Sequence, residues 1–404
     1  MPFKTDQWWV SEQNFATEVR SRWALPSSVI IHDSTLREGE QMVGVTFSGE
    51  QKVEMAKMMD EAGIHRIDVG IPALSNDDAN ALRILSRENL RARLMCLTRA
   101  KRQDIDLASD AGAGGVVIEI PASYHIQKVL GIKHDDAIDR VVDSIIYAKA
   151  MGLFVAVLPW DSTRADLDYF MRLAKRADSE GHADSVALVD TFGAALPDTI
   201  FSLVRKLRSA IRCQMEIHCH NDFGLATANT LAGVAAGCNV VHSSFNGLGE
   251  RCGDASTEEV ALAVRVFYDL DMNLKMERFR SISKALEQIS GSRVPTQKPV
   301  VGENASTYES GLVANMLDKA KSIGEDELVL TPYKTEIVGN SGLKLVLGRK
   351  SGKASIRWKL EKLGVSATPE LVDQLLSTVR NVSFNSRRIL TDDEFQQIVR
   401  KQLE

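Results

Sequence analysis

At 404 residues the chain is too long for one small core, but it suits a barrel of about 250 residues with a smaller appendage. Lys and Arg number 49 against 54 Asp and Glu, a net charge of −5, which argues against a nucleic-acid or anionic-membrane binder. The five cysteines (Cys96, Cys213, Cys219, Cys238 and Cys252) are odd in number and scattered, and no signal-like N-terminus or run of about 18 apolar residues is present, so the expectation is a cytoplasmic protein with reduced thiols.

Near the N-terminus Trp8, Trp9 and Trp23 read as a hydrophobic anchor or an oligomer contact. Eight β-rich runs follow: "VIIHD" (29–33), "HRIDVG" (65–70), "RLMCL" (93–97), "GGVVIEI" (114–120), "LFVAVLP" (153–159), "SVALVD" (185–190), "MEIHCH" (215–220) and "NVVHSSF" (239–245). Amphipathic stretches separate them. In "GEQKVEMAKMMDEAG", Val53, Met55, Ala56, Met59 and Ala62 form an approximate helical stripe closed by Gly63. Eight strand-helix units predict a (β/α)8 TIM barrel; a doubly wound open sheet is the rival, and the strand count favours the barrel. From about residue 290, "GSRVPTQKPVVGENAST" breaks the alternation. "LVLGRKSGKASIRWKLEKLGV" then reads as strand, turn and helix, and "TPELVDQLLSTVRNVS" as a helix capped by Thr368. The predicted organisation is an N-terminal extension (1–27), a barrel (28–285) and a small α or α+β subdomain (286–404).

In such barrels chemistry sits where the strands end. The first strand runs into "HDSTLREGEQ", which carries Asp33, Arg37, Glu38, Glu40 and Gln41, and the seventh ends in His218 and His220. Alternate strand residues share a face, so both imidazoles can aim at one spot. Two imidazoles with one carboxylate from the first strand suit a divalent cation; two packed histidines satisfied by carboxylates are the other reading. Asp190 and Thr191 end the sixth strand. The loop "FNGLGERCGD" after the eighth brings Asn246, Glu250, Arg251 and Asp254 among Gly247, Gly249 and Gly253, which could admit a phosphate or carboxylate or could simply be a flexible loop. Cys252 in that loop reads as a packing thiol.

"DSTLREGEQ", "VDTFG", "HCHNDFGLATANTLAGVAAGC" and "NGLGERCGDASTEEVALA", in that order, resemble the DRE-TIM metallolyases, in the branch of isopropylmalate, homocitrate and citramalate synthases. "VVGENASTYESG" and "EIVGNSGLKLVLGRKSGKASI" resemble their post-barrel subdomain, while a leucine-sensing regulatory domain is not expected. The resemblance implies condensation of an acyl-CoA, usually acetyl-CoA, with a small 2-oxo acid, followed by thioester hydrolysis. It implies Glu38, His218 and His220 as ligands of a divalent metal (Mg²⁺, Mn²⁺ or Zn²⁺). Arg37 would sit beside the substrate ketone and Thr191 on its carboxylate, with Gln41 and Asp33 supporting the Arg37 and Glu38 loop.

The sequence departs from that pattern at several positions. Asp254 stands where the relatives carry an asparagine near or on the metal. Trp160 replaces a strand-end glutamate, which implies a reshaped substrate pocket. Tyr308 and Val313 replace two histidines, one of them an acid/base group, so Tyr308 or Tyr333 is the candidate acid/base. A metal-dependent retro-aldol or retro-Claisen lyase is the alternative activity, and a metal-binding scaffold without catalysis is the third reading. The retained subdomain implies a homodimer.

Overall fold

The computed structural model describes residues 3–403. Eight strands close into a barrel in sequence order, all parallel: β1 (Ile30–Asp33), β2 (Arg66–Asp68), β3 (Arg93–Arg99), β4 (Gly115–Pro121), β5 (Phe154–Trp160), β6 (Ser185–Asp190), β7 (Gln214–Cys219) and β8 (Val240–Ser243). The closing seam pairs β1 with β8, His32 opposite His242. Parallel strands are covered on both faces, which is why β6 is buried at every position and why these runs read as nearly continuous apolar sequence.

The first crossover helix, Gly49–Glu61, shows how local sequence sets an element. Ser48 and Gln51 form a reciprocal capping box at its start. Gly63 lies just past its end at φ +89°, where a Cβ would meet the Asn273 carbonyl at 2.8 Å. Within its apolar stripe Lys52 is fully buried, and its ammonium is held by Glu40 at 2.6 Å, by Asp78 and by the Val69 carbonyl. Lys52 thereby ties the loop after β1 to the first helix.

Inside the barrel the two sides differ. Toward β3–β6 the lumen is apolar: Met95, Leu97, Val117, Ala156, Leu158, Ala187 and Val189 form one cluster, with Phe154 and Trp160 packed on it. Toward β7, β8, β1 and β2 it is polar. Arg66 donates to Glu216 at 2.7 Å, the His242 Nε2–H donates to the other Glu216 oxygen at 2.5 Å, and His32 stacks on His242 at 4.3 Å. Burial alone would raise the Glu216 carboxyl, yet His242 and Arg66 hold it far below the usual carboxylate range.

The chain divides into Ala16–Val294 and a second unit made of Met1–Phe15 with Pro295–Glu404, which differs from the sequence-derived boundaries at 27 and 285. The helix Phe279–Ser290 stays with the barrel because Ser283 bonds Asn246 in the loop after β8. The N-terminal residues join the other unit through long-range pairing: Trp8 bridges Tyr333, the Trp9 N–H donates to Pro332, and the Lys334 N–H donates to Gln7. Trp8 thus serves as an anchor. The second unit has its own core, in which Ile356 and Leu360 of the helix Lys353–Lys362 meet Val372, Leu375 and Val379 of the helix Pro369–Ser386, capped as expected by Thr368. Among the described residues no helix is long and apolar enough to cross a membrane.

Candidate active site

The strand periodicity of β7 sends Glu216, His218 and the following His220 to one face in ascending layers. The two imidazoles converge at the mouth, their Nε2 atoms 3.1 Å apart, and the Glu38 Oε1 lies 3.7 Å from the His220 Nε2. Glu38, His218 and His220 are all buried, and each can offer an atom within 4.8 Å of the others. The His220 Nδ1 faces the Gly253 carbonyl at 3.2 Å, and a carbonyl only accepts, so the proton sits on Nδ1 and the Nε2 lone pair points to the mouth. The Nδ1 of His218 has no partner among the described residues.

Electrostatics favour the same use. Burial drives His218 well below the ordinary imidazole range, reinforced by His220 and His242, and burial lowers His220 against the pull of Glu38. Both are neutral ligand-type imidazoles. Burial would raise Glu38, but Arg37 and His220 outweigh it and keep the carboxylate ionised. An anionic oxygen and two neutral nitrogens converging at one point fit a divalent cation.

Arg37 is buried beside this group. Its Nε donates to Asp68 at 2.8 Å and its Nη1 to Gln41 at 3.1 Å and to Glu38, while its Nη2 has no partner among the described residues. The guanidinium is therefore clamped in place with one amino group left for an outside oxygen. Asp33 lies beneath the loop, accepting from the Thr35 N–H and the Thr257 hydroxyl, and burial raises its carboxyl to about 7. Asp254 pairs with His220 as an isolated bridge and accepts from the Ser34 hydroxyl at 3.2 Å and from Ser244. Burial and the nearby Glu38 push its carboxyl well above the usual range, so it stands beside the three-residue group held by two serines.

The loop after β8 closes the mouth. Its Glu250 N–H donates to Glu38 at 3.2 Å, and Arg251 holds Asp222 at 2.8 Å and the Thr191 carbonyl at 2.6 Å, linking three strand ends. Thr191 accepts from the Asp161 N–H at 2.7 Å through its hydroxyl oxygen and keeps its proton for a further acceptor. Trp160 covers the apolar side of the mouth. Cys252 is an exposed free thiol in this loop, which removes the packing role expected for it. Tyr308 and Tyr333 belong to the other unit; the Tyr308 hydroxyl donates to the Leu330 carbonyl at 2.8 Å, and burial raises rather than lowers it.

One residue escaped the sequence reading. Glu119 follows Val117 by two on β4, so it shares the lumen face with that residue, at the strand's C-terminal end. It is partly buried, and its carboxylate makes no hydrogen bond or ion pair with the described residues. A charge inside "GGVVIEI" was the available signal.

Two further residue groups resolve as support. Asp190 accepts from Thr163 at 2.8 Å and from the Ala194 and Ala195 N–H groups, which shapes the turn that carries Thr191. His32, Glu216 and His242 form a second buried trio one layer deeper, but there Glu216 already serves Arg66 and His242.

Residues 28–286 match the HMGL-like family model. The chain is 37% identical over 383 residues to a homocitrate synthase of Methanopyrus kandleri, covering 94% of each. It is 36% identical to a probable 2-isopropylmalate synthase of the same organism, over 89% of this chain and 70% of that one. Among solved structures, the HMG-CoA lyase of Bacillus subtilis superposes with a TM-score of 0.61 at 20% identity, over 68% of this chain and 97% of that one, a likeness of fold.

Proposed function

Since the chain belongs to the HMGL-like family, we propose that it is a synthase that joins an acyl-CoA, acetyl-CoA first among them, to a 2-oxo acid, giving a 2-hydroxy (malate-type) acid and free CoA. Synthase names among relatives at 36–37% identity support this direction over the lyase alternative. The observation that carries the reading is the unpartnered Nη2 of Arg37 beside the converging Glu38, His218 and His220.

Glu38, His218 and His220 would hold a divalent cation, with Asp254 at the edge of the set. That cation would act as a Lewis acid on the carbonyl of a chelated 2-oxo acid. Arg37 offers its free amino group to the ketone oxygen as negative charge develops there; such prepositioned donors are worth about 10²–10³ in rate. Asp68 and Gln41 fix the guanidinium, so little reorganisation is needed in the transition state. Thr191 donates its hydroxyl proton to the substrate carboxylate, and Trp160 bounds the pocket for the 2-oxo acid's side chain.

Incubation with acetyl-CoA and a panel of 2-oxo acids (pyruvate, 2-oxoisovalerate, 2-oxoglutarate) in MnCl2 is expected to release free thiol with at least one of them and none after EDTA. Cleavage of hydroxyacyl-CoA substrates with no thiol release across the panel would overturn the synthase reading.

A further inference from the structure

The residues assigned above bind and polarise, but none of them removes a proton from the acyl-CoA. Glu38, His218 and His220 are committed to the cation, and Arg37 remains a cation at any working pH. Asp33 lies sealed under its loop with both oxygens occupied, and the Asp254 carboxyl is tied to two serines. Asp68 is held by Arg37 and Asp222 by Arg251, but β4 brings a further carboxylate to the barrel mouth that no such partner holds.

We propose that Glu119 is the general base of the condensation, taking the proton from the carbon next to the thioester carbonyl. The assignment rests on the synthase reading above. Three observations carry it. Glu119 stands at the C-terminal end of β4, on the lumen face that alternation from Val117 dictates. It makes no hydrogen bond or ion pair with the described residues, so both its oxygens are uncommitted, whereas the Asp68 carboxylate is held by Arg37 through one oxygen and the Glu216 and Asp33 carboxylates are bonded through both. And it is near enough to the Arg37 and Glu38 pair for both charges to act on it, while belonging to the apolar side of the lumen with Leu97, Val117 and Leu158.

The charged groups around it are Arg37 and Glu38 from the loop after β1, Arg99 at the end of β3, and Asp104 on the helix after β3; Arg99 is itself paired with Asp104 at 2.7 Å. Burial lifts Glu119 above the usual carboxylate range against the pull of Arg37 and Arg99, in the direction that makes a carboxylate a better base.

The step balances without an outside oxidant or reductant. The C–H bond breaks and the proton passes to the Glu119 carboxylate. The released electron pair forms the new C–C bond to the ketone carbon, and the ketone π pair moves to its oxygen beside Arg37. That alkoxide and the protonated Glu119 then exchange protons with solvent, and water hydrolyses the thioester to a carboxylate and the CoA thiol.

The test compares wild type, Glu119→Gln and Glu119→Asp, using acetyl-CoA with the same 2-oxo acids in MnCl2. Thiol release, exchange of the acetyl-CoA methyl protons in D2O and Mn²⁺ affinity are followed. Support is a kcat for Glu119→Gln lower by about 10²–10⁴, with methyl exchange lost, Mn²⁺ affinity unchanged and the acidic limb of the wild-type pH–rate profile gone. Partial recovery of rate and limb in Glu119→Asp would add to that support. Wild-type turnover with kcat, exchange and acidic limb all kept in Glu119→Gln would overturn the base assignment and leave the synthase reading intact. A rise confined to the KM of the 2-oxo acid would also overturn it, making Glu119 a side-chain reader. No thiol release from wild type with any 2-oxo acid would overturn both.

Discussion

Arg37 and Asp33 differ in role, although one lies in the loop that the other, the last residue of β1, supports. Arg37 spends its Nε and Nη1 hydrogens on Asp68, Glu38 and Gln41, and its Nη2, without a partner among the described residues, is the group proposed to meet the substrate. A lysine ammonium cannot hold the clamp and reach the ketone oxygen together. Arg37→Lys is therefore expected to lower kcat by about 10²–10³ while changing Mn²⁺ affinity little, read by thiol release and by metal titration. An unchanged kcat would remove Arg37 from the reaction. Asp33 acts on stability instead. Its carboxyl ionises near 3.8 when unfolded and at about 7 when buried in the fold, so between those values the folded chain binds more protons. Its contribution is full below about pH 4 and is lost as pH rises through 7. Asp33→Asn removes this dependence. The stability gap between variant and wild type should therefore shift in the variant's favour by at most about 4 kcal/mol from pH 4 to pH 8. Guanidinium unfolding at the two pH values checks this, and a constant gap would refute it.

The loop after β8 shows how one element holds a site made of others. Gly253 sits at φ +83°, with the Gly247 carbonyl 1.9 Å from where a Cβ would be, and its own carbonyl fixes the His220 tautomer. Gly253→Ala should force the loop open and release both His220 and the Glu250 N–H that supports Glu38. The expected result is a drop in Mn²⁺ affinity of at least tenfold with a loss of about 2–3 kcal/mol in stability; normal affinity in calorimetric titration would show that the loop is not a support. Strands buried on both faces write long apolar runs, and for that reason all eight were legible, as was the placing of His218 and His220 on one face by their spacing. Glycines in "NGLGERCGD" announced a loop but not which residues it would hold. The pairing of Trp8 with Tyr333 spans most of the chain, and nothing local in "DQWWVS" signals it. Glu119 was hidden for another reason. A lone charge in an apolar strand is ambiguous until the neighbouring strands fix which face is the lumen.

For the whole barrel, the division of the lumen matters most. Its polar side, from Arg66 and Glu216 up to Glu38 and the two imidazoles, is built of groups buried in pairs, and such pairs specify geometry more than they stabilise. The proposed ligand set draws on the loop after β1 and on the end of β7, which are apart in sequence and brought together only by closure of the barrel. The unfolded chain has no such set, so cation binding must stabilise the fold by mass action, by about 2.7 kcal/mol at a hundredfold excess over Kd. For a barrel of this size that corresponds to a rise in Tm of about 5 °C. MnCl2 is expected to raise the melting temperature of EDTA-stripped protein by this amount, and the rise should vanish in Glu38→Gln and in His218→Ala. An equal rise in either variant would place the stabilising cation elsewhere. Glu119→Gln, on the apolar side of the lumen, should keep the full rise, because its role is with the proton and not with the cation.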